Sequence, residues 1–180
     1  LKEKAMISAL YYTTHDSIIG RLLLVGSERG IQRITRLDHG ELPEPTLHLY
    51  YGDQANLTHL PGFFASACSA IDAYLEDSST LKLPYEIVGG TPLQRAVWLA
   101  LTKIPFGETR NYSQLAETVG FPRAVRAVAS ACAANPIPLI IPCHRVVAKD
   151  GTLAGFSLGG VEVKEKLLAL ESKQQTLLAA

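Results

Sequence analysis

Cysteine is scarce in this chain: three residues in 180, at 68, 132 and 143, odd in number and widely spaced. That excludes a disulfide framework and fits a reducing compartment, where a thiol stays free. No Cys/His spacing of a zinc site occurs, and His144 is poorly placed to share a metal with its neighbour Cys143. Neither metal nor cofactor is therefore expected. Long apolar runs are missing too: Arg, Pro or Gly interrupts each one far short of a membrane span. Leu1-Lys2-Glu3-Lys4 leads into a short mixed segment rather than a signal peptide. The chain starts without methionine, which fits a processed product or one piece of a larger protein. It also lacks net charge, with 17 Lys/Arg against 17 Asp/Glu, but the halves differ. Residues 1–90 hold 7 against 11 and residues 91–180 hold 10 against 6, so net charge runs from −4 to +4. The second half can carry a basic face.

With 47% hydrophobic and 19% charged residues the chain has a globular balance and the length for one or two small domains. Segments 6–13, 21–25 and 30–37 read as short strands, separated by His15-Asp16-Ser17 with Gly20 and by Gly26 to Gly30. Segment 38–60, rich in Pro, Gly and His, reads as a long loop. Phe64, Cys68, Ile71 and Leu75 recur at helical spacing over 61–76. Residues 83–88 form one more strand candidate before a Gly89-Gly90 linker. His15, His39, His48 and His59 fall in turns and loops and are expected in solvent.

Thr91-Pro92 supplies an N-cap and a first-turn proline for a helix reaching about residue 103, with Val97, Leu101 and Ile104 on one side. Helices over 112–119 and 122–134, joined through Gly120-Phe121-Pro122, read as a helix-turn-helix or as a plain αα-hairpin. The second of these contains six alanines, with Arg123 and Arg126 on one side. Such a slim helix suits either a packed interior or close approach to a flat surface. The expected fold class is α+β: a small sheet-plus-helix module over 1–90, then a mostly helical domain with a helix-turn-helix over 91–180.

Chemistry concentrates at Ile141-Pro142-Cys143-His144-Arg145-Val146-Val147, which follows the proline-rich apolar run Asn135-Pro136-Ile137-Pro138-Leu139-Ile140-Ile141. A thiol is nucleophilic only as thiolate, so it needs a base or cation nearby; His144 and Arg145 are the local candidates. Cys68, among Ala and Ser, has instead the surroundings of a structural cysteine.

Pro142-Cys143-His144-Arg145-Val146 resembles the active-site signature of the O6-alkylguanine-DNA alkyltransferases, which move an alkyl group from guanine to their own cysteine. The resemblance continues in order over roughly residues 91–171, through 109–116, Ala124 to Val128, Asn135-Pro136 and Glu171, and is weaker over the first 90. It implies a ribonuclease-H-like module over 1–90 and a DNA-binding alkyltransferase domain over 91–180 whose helix-turn-helix enters the minor groove. Cys143 is then the nucleophile, activated by His144 through a water, with Glu171 behind it and Asn135 bracing the turn. Read alone, Glu171 is a surface carboxylate and Asn135 a turn former.

By the same resemblance Arg126 fills the space of a flipped-out nucleotide, with Arg123 beside it on the DNA face. Tyr112 donates toward the purine and Ser113 contacts phosphate. Phe156 stacks on the base, and Ser157 or a backbone N–H holds O6, because this loop is one residue longer than the family pattern. The backbone carbonyls of Cys143 and Val146 read the exocyclic amine, and Pro138 walls the alkyl group. The implied partner is double-stranded DNA bearing O6-alkylguanine, with O4-alkylthymine a second lesion, met by a monomer off the membrane in cytoplasm or nucleus. A lesion-flagging binder of similar build would have replaced the cysteine, which is intact here. A thiol hydrolase usually draws its Cys and His from separate parts of the chain. A transcription regulator would not need Cys143, although some members form the repair half of a larger adaptive-response regulator.

Overall fold

The computed structural model describes residues 9–52, 56–77 and 80–178 and is an α+β structure. Strands β1 (Leu10–Ser17), β2 (Gly20–Ser27) and β3 (Gly30–Leu37) form an antiparallel meander. The expected strands lie within these bounds apart from residues 6–8, which fall outside the described residues, and residue 9, which is not in a strand. Strand β1 runs on through His15, Asp16 and Ser17, so the turn is tighter than expected, with Gly20 at φ +112 relieving the bend.

Segment 38–60 is not simply a loop. It holds helix α1 (Pro43–Tyr51) and the short strand β4 (Leu57–His59), which pairs parallel to β1 and completes the sheet order β3-β2-β1-β4. Strand β2 is apolar on both faces, as a strand covered on both sides must be. Leu22 and Leu24 face the main core, whereas Leu23 and Val25 meet Leu37 and Leu47 beneath α1. Residues 83–88 do not form a strand: they make one isolated bridge, Ile31 to Tyr85. Glu86 N–H donates to Ile31 O at 2.9 Å, which covers part of the β3 edge.

A one-turn 3-10 segment (Pro61–Phe64) leads into helix α2 (Ala65–Asp77). Helix α3 (Pro92–Leu101) starts at the expected cap, where Thr91 and Gln94 bond each other's backbone N–H. Strand β5 (Arg110–Asn111) precedes helix α4 (Tyr112–Thr118), which Asn111 and Gln114 cap the same way. Helix α5 (Val125–Ala133) starts three residues later than expected, since 122–124 form the turn after Phe121. Strand β6 (Val146–Val147) pairs with β5, and helix α6 (Gly160–Leu178) closes the chain.

One continuous core joins β2 and β3 to α2, α3, α4, α5 and α6. Each fully buried leucine there, such as Leu22, Leu101 or Leu167, contributes roughly 1.5–3 kcal/mol. Trp98 locks α3 to α5 by donating its indole N–H to Ala131 O at 2.8 Å. The sheet reaches the Cys143 region directly: Ile34 N–H on β3 donates to Pro136 O at 3.0 Å.

Candidate active site

Cys143 opens a 3-10 turn (Cys143–Arg145) at the end of the proline-rich run. Pro142 has φ −80 and ψ 66, and Cys143 N–H donates to Ile141 O at 2.8 Å, an inverse γ-turn preset by the proline ring. Leu139, buried at φ +74, is the non-glycine residue in the left-handed region among the described residues. Holding it there costs roughly 1–2 kcal/mol. The offset lies in its surroundings, for Asn135 braces the same run. Its side-chain amide donates to Ile141 O at 2.7 Å and to Cys143 Sγ at 3.1 Å, while its Oδ1 accepts from Ile137 N–H. A turn former in sequence is therefore a buried bracket that touches the sulfur.

The Cys143 thiol is buried, and desolvation pushes its pKa up to about 11 despite the Asn135 amide and the Lys164 charge. At neutral pH it rests as thiol. Arg145, a local candidate for activating it, points elsewhere. Its Nε and Nη2 donate to Glu171 Oε2 and Oε1 at 2.8 Å each, and its Nη1 donates to Ile104 O. The cation felt by the sulfur is Lys164 on α6, 1% exposed, its ammonium pKa lowered by burial and then raised in part by Cys132 and Cys143.

Glu171 is not a surface carboxylate. It is 1% exposed and accepts five hydrogen bonds: from His144 Nε2 at 2.9 Å, Tyr74 Oη at 2.7 Å, the two Arg145 nitrogens and Gly107 N–H at 3.0 Å. Burial works to raise its pKa, but the bonds and charges of His144 and Arg145 win and hold it at about 2. His144 is fully buried, and desolvation lowers its pKa against the pull of Glu171. Glu171 fixes the imidazole through Nε2, which leaves Nδ1 buried without a protein partner.

A cleft of about 20 Å³ lies over the sulfur, lined by Tyr112, Cys132, Ala133, Cys143, Gly155, Phe156 and Ser157. That is room for about one water. The β5–β6 pair places Tyr112, which follows β5, beside the turn that precedes β6. Burial lifts the Tyr112 phenol to about 12, so it remains a donor. Phe156 is buried with its ring T-shaped to the His144 imidazole, and Ser157 is exposed. Pro138 and Val146 are buried but are not among the cleft-lining residues, so the structure does not bring the Pro138 side chain to the opening. Ser113, in the first turn of α4, is half-buried. Arg123, Arg126, Ala127, Ser130, Ala133 and Ala134 make the exposed face of α5 and the turn before it, while Val128, Ala131 and Cys132 face the core. The alanine-rich helix is thus packed on one side and open on the other.

The sequence pattern does not single out Tyr74, Cys132 and Lys164. Each looks like an ordinary position of an amphipathic or charged helix, and only the packing of α2, α5 and α6 brings them to Cys143 and Glu171. Among the histidines, His39, His48 and His59 are exposed as expected, but His15 is half-buried and 2.7 Å from Asp72.

A free cysteine backed by a buried His-Glu pair, beside a helix-turn-helix with an open small-residue face, defines a protein-thiol site placed to meet nucleic acid. Residues 92–173 match the family model described as 6-O-methylguanine DNA methyltransferase, DNA binding domain. The chain is 41% identical over 165 residues to the methylated-DNA--protein-cysteine methyltransferase of Methanosarcina barkeri, covering 90% of this chain and 97% of that one. It is 42% identical to the bifunctional transcriptional activator/DNA repair enzyme Ada of Escherichia coli, but spans only 47% of that protein. The crystal structure of Mycobacterium tuberculosis OGT in complex with DNA superposes with a TM-score of 0.77 at 36% identity, over 91% of this chain and 94% of that one. The chain belongs to the 6-O-methylguanine DNA methyltransferase family. No described helix is long and apolar enough to cross a membrane.

Proposed function

We propose that this protein repairs O6-alkylguanine in double-stranded DNA by transferring the alkyl group to Cys143, once per molecule. The observation that carries this reading is the Cys143 sulfur at the floor of a water-sized cleft, bracketed by Asn135 and backed by the buried His144–Glu171 pair. The sulfur attacks the alkyl carbon, the S–C bond forms as the C–O6 bond breaks, and the thiol proton ends on the guanine. Ionising a thiol of pKa about 11 at pH 7 costs roughly 5 kcal/mol. His144 Nδ1, free of protein partners, takes that proton through a bridging water, and Glu171 steadies the imidazolium that results. Lys164 and the Asn135 amide favour the thiolate.

Guanine needs far more room than one water. The loop 155–160 therefore moves aside, after which Phe156 stacks on the base and Ser157 or a backbone N–H meets O6. The carbonyls of Cys143 and Val146 read the amine, Pro138 walls the alkyl group once the cleft has opened, and Tyr112 donates to the purine. DNA lies along the exposed face of α5, with Arg126 in the gap left by the flipped nucleotide and with Arg123 and Ser113 on phosphates. In this reading residues 91–180 form the DNA-binding unit and 1–90 its support. The protein acts as a monomer where thiols stay reduced, in cytoplasm or nucleus. The test is chromatography of nucleosides from a duplex with one O6-methylguanine. The O6-methyldeoxyguanosine should be lost in an amount equal to the protein and the loss should then stop; unchanged O6-methyldeoxyguanosine would refute the reading.

A further inference from the structure

Residues 10–77 supply no lining to the cleft over Cys143, yet one of their side chains reaches the centre of the site. Tyr74 on α2 is 1% exposed, donates to Glu171 Oε1 at 2.7 Å and stands 3.2 Å from His144 Nε2. Its ring meets Phe106 edge-on at 6.5 Å, and the Arg145 guanidinium lies over that same Phe106 ring. We infer that Tyr74 is a positioning residue of the thiol-activating relay, through which the N-terminal half sets the tautomer and basicity of His144.

Counting protons fixes the tautomer. A phenol has one proton, and the shorter contact places it on Glu171, so toward His144 the phenol oxygen can only accept. Glu171 Oε1, at 2.9 Å from the same Nε2, also only accepts. Two acceptors facing one ring nitrogen require the proton on Nε2 and leave the lone pair on Nδ1, the atom that has no protein partner. Burial and the neighbouring carboxylate push the Tyr74 ionisation well above its ordinary range, so the phenol remains a donor across working pH. Oε1 thereby divides its charge among Tyr74, His144 and Arg145. Without the hydroxyl, Oε1 would pull harder on His144 and make the imidazole more basic. Among the described residues, the other charged groups that act on His144 are Glu171 and Lys164 from α6 and Arg145 from its own turn.

This inference rests on the alkyltransferase reading, and single-turnover transfer from free O6-benzylguanine between pH 5.5 and 9 separates the two. Tyr74→Phe should react about tenfold more slowly at neutral pH, the size of a lost hydrogen bond to a charged group. The acid limb of its rate profile should move up by about 0.5–1 pH unit, with DNA affinity unchanged. Equal rates at every pH would overturn the inference, as would a uniform slowing that follows a lowered Tm. In a Glu171→Gln background the Tyr74→Phe change should add little, because the two act as a unit; full additivity would also overturn it. Nitrogen-15 shifts of the wild-type imidazole need no variant: an Nε2–H tautomer is expected, and an Nδ1–H tautomer would overturn the inference. If the wild-type protein transfers nothing, the alkyltransferase reading falls and this inference falls with it.

Discussion

Two surfaces of α5 and its neighbours treat polar groups in opposite ways. Behind Cys143, the polar groups of His144, Arg145 and Glu171 are withdrawn from water and bonded to one another and to Tyr74. On the outer face of α5 and the turn before it, Arg126 and Arg123 stand in solvent among alanines. A buried group is costly unless paired, so the inner set is rigid and stores its function in geometry. An exposed arginine costs little and waits for a partner, so the outer set stores its function in charge. Chemistry and recognition are thus separable, and substitutions should divide accordingly.

The largest effect belongs to the sulfur. Cys143→Ala should abolish transfer and leave DNA binding intact, as read by transfer and gel-shift assays side by side; residual transfer would break the division. Glu171→Gln comes next, because it leaves the Arg145 guanidinium without its counter-charge. It should cost about 3–5 kcal/mol of stability in denaturant unfolding and slow transfer by about 10²-fold or more. The same residue sets an acid limit. Its folded pKa of about 2 lies below the ordinary 4.5, so its stabilisation is complete above 4.5 and is lost as pH falls toward 2. His144, held below its ordinary value of 6.5, acts in the same direction, since below that pH the unfolded chain takes up a proton the folded one refuses. Tm should therefore fall from about pH 6.5 downward, less steeply in Glu171→Gln.

On the outer face, Arg126→Ala should slow repair of duplex DNA by about tenfold or more while leaving reaction with free O6-benzylguanine near wild type. Equal slowing of both would place Arg126 in the chemistry instead. The smallest effect is that of Arg123→Ala, which should lower the slope of log affinity against log salt by about one, with no change in transfer once DNA is bound.

The outer face was the easier to read. The alanines and Arg126 at helical spacing, the Thr91-Pro92 cap and the Cys143-His144 pair are local patterns that appear where the spacing puts them, whereas Arg123 falls in the turn before α5. Helix α1 was missed because only Leu47 of its nine residues is buried, so it has almost no apolar stripe, and two prolines disguise its first turn. Segment 83–88 has strand-like composition but meets the sheet at a single bridge, a tertiary outcome. The inner set was least legible. Glu171 sits in a helix rich in Glu and Lys, and its five donors come from positions 26 to 97 residues away. Tyr74 sits at a core position of α2 and reveals nothing locally of the hydroxyl's destination.

The central claim is that Cys143 is the final acceptor of the alkyl group. Intact mass after incubation with a duplex carrying one O6-methylguanine, followed by peptide mapping, tests it directly. The account predicts a gain of one methyl per molecule, located on Cys143 and absent from Cys68 and Cys132. Tight binding with no gain in mass, or a methyl on another residue, would contradict it.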